Sequence, residues 1–106
     1  MSNPEKTIDL ICRTFGRYPS MSGGCLKFHI LLLRIFPEAS GWYNGDHVLT
    51  EIDGVKYDID GEYKNPTDSF LPIGISYWTP SLLLNQFACF LVHEDQKFFK
   101  DYYKDR

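Results

Sequence analysis

Cys25, His47 and Asp60 are the residues whose types and spacing best suit covalent chemistry. A cysteine is a strong nucleophile only as its thiolate. A helix N-terminus lowers the thiol pKa, because unpaired amide N–H groups and the helix dipole favour the anion. Cys25 follows Gly23–Gly24 and opens CLKFHILLLRIF, an almost wholly apolar run whose length favours a buried helix over a strand. The glycines leave the backbone uncluttered for an approaching carbonyl, and the Cys25 N–H is the natural oxyanion donor. The plain alternative is a small core residue, since free cysteine is among the most buried types.

His47 and Asp60 come from the clearest local signal in the chain. HVLTEI and VKYDID alternate apolar with polar residues and are separated by Asp53–Gly54, the preferred centre of a two-residue type I′ hairpin. With Asp53 and Gly54 as the loop, Ile52 pairs with Val55, Glu51 with Lys56 and Thr50 with Tyr57. Continued outward, the register sets Leu49 opposite Asp58, Val48 opposite Ile59 and His47 opposite Asp60. An Asp beside a His fixes its tautomer and stabilises the imidazolium, the orienting role in a nucleophile–base–orienter triad. The same register gives Val48, Thr50, Ile52, Val55, Tyr57 and Ile59 one core face. His47 and Asp60 lie on the other, with Leu49 and several charges. A polar outer face with an incidental His–Asp pair is the plain alternative. Helices on both faces of the sheet would restore the triad, and so would a bulge that substitutes Asp58 for Asp60.

Other polar clusters are weaker. Cys25 and His29 are four apart and share a helix face. With His47 they make three zinc ligands, but a structural site needs four and no second pair stands at ligand spacing. No metal or cofactor is therefore expected. His29 is expected to be a satisfied core histidine. His93 is expected near a helix C-terminus, and Cys12 and Cys89 in the core. Asp53, Asp58, Asp60 and Glu62 have part of the alternation of a calcium loop but not its full pattern, and mostly serve turns.

The elements that must position these residues read as α+β, a small antiparallel sheet packed with helices. A first helix is expected from Pro4 to Phe15, capped by Asn3, with Ile8, Ile11, Cys12 and Phe15 on its buried stripe and Gly16 as its stop. RYPSMSGG is a loop. The Cys25 helix ends at Pro37. A short edge strand is expected at Trp42–Tyr43, the hairpin at residues 47–60, and a third strand at IGISYW, residues 73–78. Breaks are marked by Asn65–Pro66 and Leu71–Pro72. Pro80–Ser81 opens a helix running through Val92. A last helix spans Asp95 to Tyr103, with Phe98, Phe99, Tyr102 and Tyr103 on one side.

The 106 residues are one domain's length, residues 1–106, and carry a formal net charge of −3. A basic face for nucleic acid is not expected. No apolar run is long enough to span a bilayer, and the N-terminus lacks the pattern of a signal peptide, so a cytoplasmic protein without a membrane partner is expected. Three cysteines without metal-type pairing fit free thiols in a reducing compartment.

A Cys opening a buried helix, a His opening a strand and an Asp on the next strand resemble the papain-like superfamily, in particular its compact transglutaminase-like and NlpC/P60-like members. The resemblance covers SGGCLKFHILLLRIFP and GDHVLTEIDGVKYDIDG, within residues 22–61. It implies a thiol nucleophile at Cys25, a general base at His47, an orienting Asp60 and a peptide or protein substrate. It departs from the family in lacking a clear upstream side-chain donor for the oxyanion; Tyr18, Ser20 or Ser22, or backbone alone, would fill that place. The function expected is hydrolysis or transfer at an amide, isopeptide or (thio)ester bond. The alternative is a non-catalytic protein-binding module or inhibitor on the same scaffold, with Trp42, Tyr43, Tyr63 and Trp78 as contact surface. Cys25 discriminates the two: an enzyme needs it accessible and acidic.

Overall fold

Asp53 and Gly54 both adopt positive φ, 52° and 82°, which a type I′ turn demands of its two central residues. The turn joins β2 (Val48–Ile52) to β3 (Val55–Asp58). Its register is the expected one: Ile52 pairs with Val55, Glu51 with Lys56 and Thr50 with Tyr57. The ladder ends there. The chain turns at residues 59–60, and β4 (Gly61–Glu62) returns along β3, with Asp58 opposite Gly61. The pairing of His47 with Asp60 is therefore not part of the sheet, because Asp60 lies in the tight turn after β3 and His47 precedes β2.

These elements belong to a computed structural model that describes residues 3–15, 24–65, 69–75 and 77–104. The expectations for Gly16, Tyr18, Ser20, Ser22, Gly23, Pro66, Ser76 and the Phe15 side chain lie outside the described residues. The architecture is α+β. Four α-helices and a five-stranded antiparallel sheet, order β4-β3-β2-β1-β5, are present among the described residues. β1 (Ser40–Tyr43) is a central strand, not an edge: it pairs with β2 on one side and β5 (Leu71–Pro72) on the other.

Residues 73–75, 77 and 78 do not form the expected strand. Gly74 takes φ +89° and its N–H bonds to the Trp78 carbonyl at 2.9 Å, so the segment closes on itself after Ile73 donates to the Gly41 carbonyl. A positive φ at glycine lets the chain leave the strand direction without a Cβ penalty.

Helix α1 (Pro4–Phe15) is capped as expected: Asn3 Oδ1 accepts from the N–H groups of Glu5 and Lys6. Its Ile8 and Ile11 enter the core. Cys12 is only half-buried and points its thiol to the Ile59 carbonyl, 3.6 Å away. Helix α2 (Cys25–Ile35) buries seven of its eleven residues and lies against β2, so an almost continuous apolar run is what it needs.

Helix α3 (Pro80–Phe87) starts at Thr79, whose hydroxyl accepts from the Leu82 N–H, and gives way to a 3-10 turn, Ala88–Phe90. Val92 is extended, φ −77° and ψ 164°, and is the N-cap of α4 (His93–Tyr103). One expected long helix is thus two elements. His93 opens a helix instead of closing one, and Cys89, on the turn between them, is exposed rather than core.

Candidate active site at the head of strand β2

At the head of β2 two site residues meet, His47 and Asp58. Asn44 Oδ1 accepts from the N–H groups of Asp46 and His47, 2.9 and 2.8 Å, and this side-chain turn launches β2. His47 is the residue before the strand. Its Nε2 lies 3.4 Å from Asp58 Oδ2 at the end of β3, and its ring stands 6.0 Å from that of Tyr63. The Asp58 carboxylate is the more enclosed partner, 16% exposed against 33% for the imidazole. Asp58 Oδ1 also accepts from the Asp60 N–H at 2.8 Å. The carboxylate beside His47 is therefore Asp58, reached because the chain turns before Asp60 can extend the ladder. Asp60 is exposed.

Cys25 is the first residue of α2, after Gly24, which is N-cap without a side-chain cap. The nearby backbone of Val48, Leu26 and Cys25 itself favours the thiolate and draws the thiol pKa down. Burial outweighs them and pushes the Cys25 thiol up from its ordinary value. Only 4% of the residue is exposed. The accessible, acidic thiol expected from a helix N-terminus is not what the fold makes: desolvation of the anion is the larger effect. Among the described residues no hydrogen bond joins the sulfur to the His47 ring. The imidazole turns to Asp58 and Tyr63.

One turn along α2, His29 is fully buried. Its Nδ1 pairs with the Thr50 hydroxyl at 2.7 Å and its Nε2 with the Tyr103 hydroxyl at 3.0 Å. Burial lowers its pKa to about 3, so it is a neutral core histidine, as its place in an apolar helix implies. No group of three or more His, Cys, Asp or Glu side chains at metal-binding distance occurs among the described residues.

The outer face of the sheet has an open groove of about 450 Å³ lined by Trp42, Leu49, Lys56, Tyr63 and Phe70. Leu49 is fully buried there, so this face is not the polar surface that alternation implies. Trp42, Tyr63 and Trp78 are half-buried, whereas Tyr43 is wholly inside and is not a contact residue. Tyr77, outside the expected set, is exposed beside Trp78.

Sequence reasoning missed two polar groups on the Cys25 side. The Tyr43 hydroxyl donates to the Gly45 carbonyl and accepts from Gln86 Nε2, both at 2.8 Å. No local pattern marks Gln86, because it comes from α3, far along the chain.

No helix among the described residues is long and apolar enough to cross a membrane. No curated protein and no solved structure matches the chain. A family model described as phage YunG-like protein matches residues 15–99, a span holding Cys25, His47, Asp58 and every element from α2 to α3. The chain belongs to the phage YunG-like family.

Proposed function

We propose that the chain is a thiol hydrolase or acyltransferase acting on an amide, isopeptide or (thio)ester bond of a peptide or protein, with Cys25 as nucleophile, His47 as base and Asp58 as its orienting carboxylate. The observation that carries the reading is a histidine held by a carboxylate at the head of β2, His47 Nε2 lying 3.4 Å from Asp58 Oδ2. Cys25 opens the helix that lies against this strand.

The chemistry follows from those groups. Because burial keeps the resting thiol protonated, His47 acts as a general base during attack rather than as half of a preformed ion pair. The imidazole takes the Sγ proton, the S–C bond forms, and the carbonyl π pair moves to oxygen. The intermediate collapses, the leaving amine or alcohol takes the proton from His47, and a thioester remains. Water or an acceptor amine then attacks the thioester, His47 removing its proton, and the thiol is released. Asp58 favours the imidazolium in both halves.

A second reading is favoured by one observation, the 4% exposure of Cys25. It is a non-catalytic module that binds a protein through its half-buried and exposed aromatics, Trp42, Tyr63, Tyr77 and Trp78.

Alkylation of Cys25 by iodoacetamide between pH 5 and 9, read by peptide mass spectrometry, separates the two. A thiol enzyme shows a Cys25 rate that already rises in the imidazole range and falls at least tenfold in His47→Ala and severalfold in Asp58→Asn, with little change in Asp60→Asn. A Cys25 that does not label measurably across that range, equally in all four proteins, overturns the enzyme and leaves the binding module. Exposed Cys89 serves as the internal reference.

A further inference from the structure

Charge is spread unevenly along this chain. All 11 Lys and Arg, all 14 Asp and Glu and the three His lie outside residues 69–92. That uncharged stretch holds β5, the closed turn after it, α3 and the 3-10 turn. It also holds six of the eight large hydrophobic side chains that stand exposed among the described residues: Leu71, Ile75, Tyr77, Leu82, Phe90 and Val92. Single exposed apolar residues are ordinary. Apolar residues gathered on a charge-free surface mark a contact site.

The fold brings part of this stretch into one face. Leu71 lies opposite Tyr43 in the β1–β5 ladder, so the two side chains point the same way. The Tyr43 ring meets Trp78 at 4.6 Å and Phe87 at 6.0 Å, and its hydroxyl accepts from Gln86 of α3 at 2.8 Å. Tyr43 thus ties the edge strand, the turn and α3 together from beneath. Tyr77 packs on Trp78 at 4.3 Å, and Ile75 shares the turn that the Gly74–Trp78 hydrogen bond closes. Leu82 stands one helical turn before Gln86 on the same side of α3. Ile75 and Tyr77 are the most exposed of the set, 70% and 69%. Asp46 lies at the border, one residue beyond Gly45, where an added Cβ would stand 3.6 Å from Trp78.

We infer that this face, from Leu71 through Tyr77 to Leu82, is the surface on which two copies of the chain pair. Three properties select a second copy over a foreign protein. The face has no charge with which to steer or choose an unlike partner. Two-fold pairing sets the same patch on both sides, so uncharged residues meet uncharged residues, and two chains of net charge −3 touch where neither opposes like charge to the other. The composition, aromatic and aliphatic with charge kept to the rim, is that of interfaces between identical subunits, which are more apolar than transient ones. The exposed side chains offer roughly 500 Å² of apolar surface, as much as the largest patch of a typical monomer. An uncharged rim at Thr79 and Gln86 brings each copy toward the ~800 Å² that a standard interface buries per partner. No group of the proposed thiol chemistry is required for this pairing.

Sedimentation velocity of the full chain from about 1 to 300 μM tests it, since self-association follows concentration. Reducing buffer keeps the exposed Cys89 from linking chains. The wild type is expected to pass from monomer to dimer within that range. Tyr77→Glu and Ile75→Glu each bury a charge at the contact and should each raise the dissociation constant by about tenfold or more. Both positions are exposed, so the urea midpoint stays near that of wild type, and two variants keep a folding defect in one from deciding the result. Leu10→Glu, similarly exposed on α1 and away from this face, should leave the constant within about twofold. A wild type that stays monomeric at the highest concentration overturns the inference and leaves the face to a different protein. A dimer that resists both glutamates, or that Leu10→Glu breaks as readily, overturns it as well, because the copies then pair elsewhere.

Discussion

A single methyl group measures how tightly the centre of the molecule is built. A Cβ added to Gly41 would lie 2.5 Å from His29 Nε2, 2.6 Å from the Tyr103 hydroxyl and 2.7 Å from Ile73 Cδ1. Two of those atoms are joined by a hydrogen bond at 3.0 Å, so the methyl cannot enter without parting them. Gly41→Ala is expected to cost about 1–3 kcal/mol from overpacking, read as a lower urea midpoint with an unchanged slope. A midpoint within error of wild type would mean that the corner yields freely. Cys25 obeys the same physics in another form. Its helix position and the nearby backbone favour the anion, yet its enclosure disfavours it more. Sequence spacing can place a cysteine at a helix start. It cannot weigh the local backbone against desolvation, because desolvation follows from how α2 packs against β2.

Among the elements, α2 and α4 are fastened by charge. Asp95 sits in the first turn of α4 with its carboxylate 5% exposed. It bonds to Lys27 Nζ, and Arg34 lies 3.5 Å away. The Arg34 guanidinium also rests 4.3 Å over the Phe98 ring. A carboxylate at a helix start is favoured by the dipole as well. Asp95→Ala should destabilise the fold by roughly 1–3 kcal/mol, less than a fully buried pair because both cations reach water. A double-mutant cycle with Lys27→Met checks the cause: a coupling near zero would assign the loss to packing alone. The boundary between α3 and α4 illustrates what spacing alone misreads. LLLNQFACFLV is apolar enough for one helix, but Val92 is extended and caps the next, and Glu94 and Asp95 suit a first turn better than a last one.

The whole molecule should feel acid through one buried ring. His29 has an ordinary value of 6.5 and a folded value of about 3, because burial disfavours its charge. Above pH 6.5 neither folded nor unfolded chain holds the proton. Below it the unfolded chain binds a proton that the native state refuses, so stability is lost as pH falls from 6.5 toward 3. Between pH 7.5 and pH 5 the loss should be roughly 2 kcal/mol, at about 1.4 kcal/mol per unit once below 6.5. Urea midpoints at the two pH values read it. An imidazole resonance of His29 that titrates above pH 5 would contradict it.

The α+β class, the Asn3 cap, the α2 helix and the Asp53–Gly54 turn with its register were legible from the residues alone, since each depends on local chemistry: a side-chain cap, an apolar run ended by proline, two residues tolerant of positive φ. The tertiary structure decided what lies between distant segments. It ended β3 at Asp58, so that His47 meets Asp58 rather than Asp60, because a ladder continues only while both strands stay extended. It enclosed Cys25, carried Tyr43 from the expected surface to the core, and brought Gln86 to Tyr43 across 43 positions of sequence. Desolvation and long-range hydrogen bonds are sums over neighbours in space, and neighbours in space are what a linear pattern does not contain.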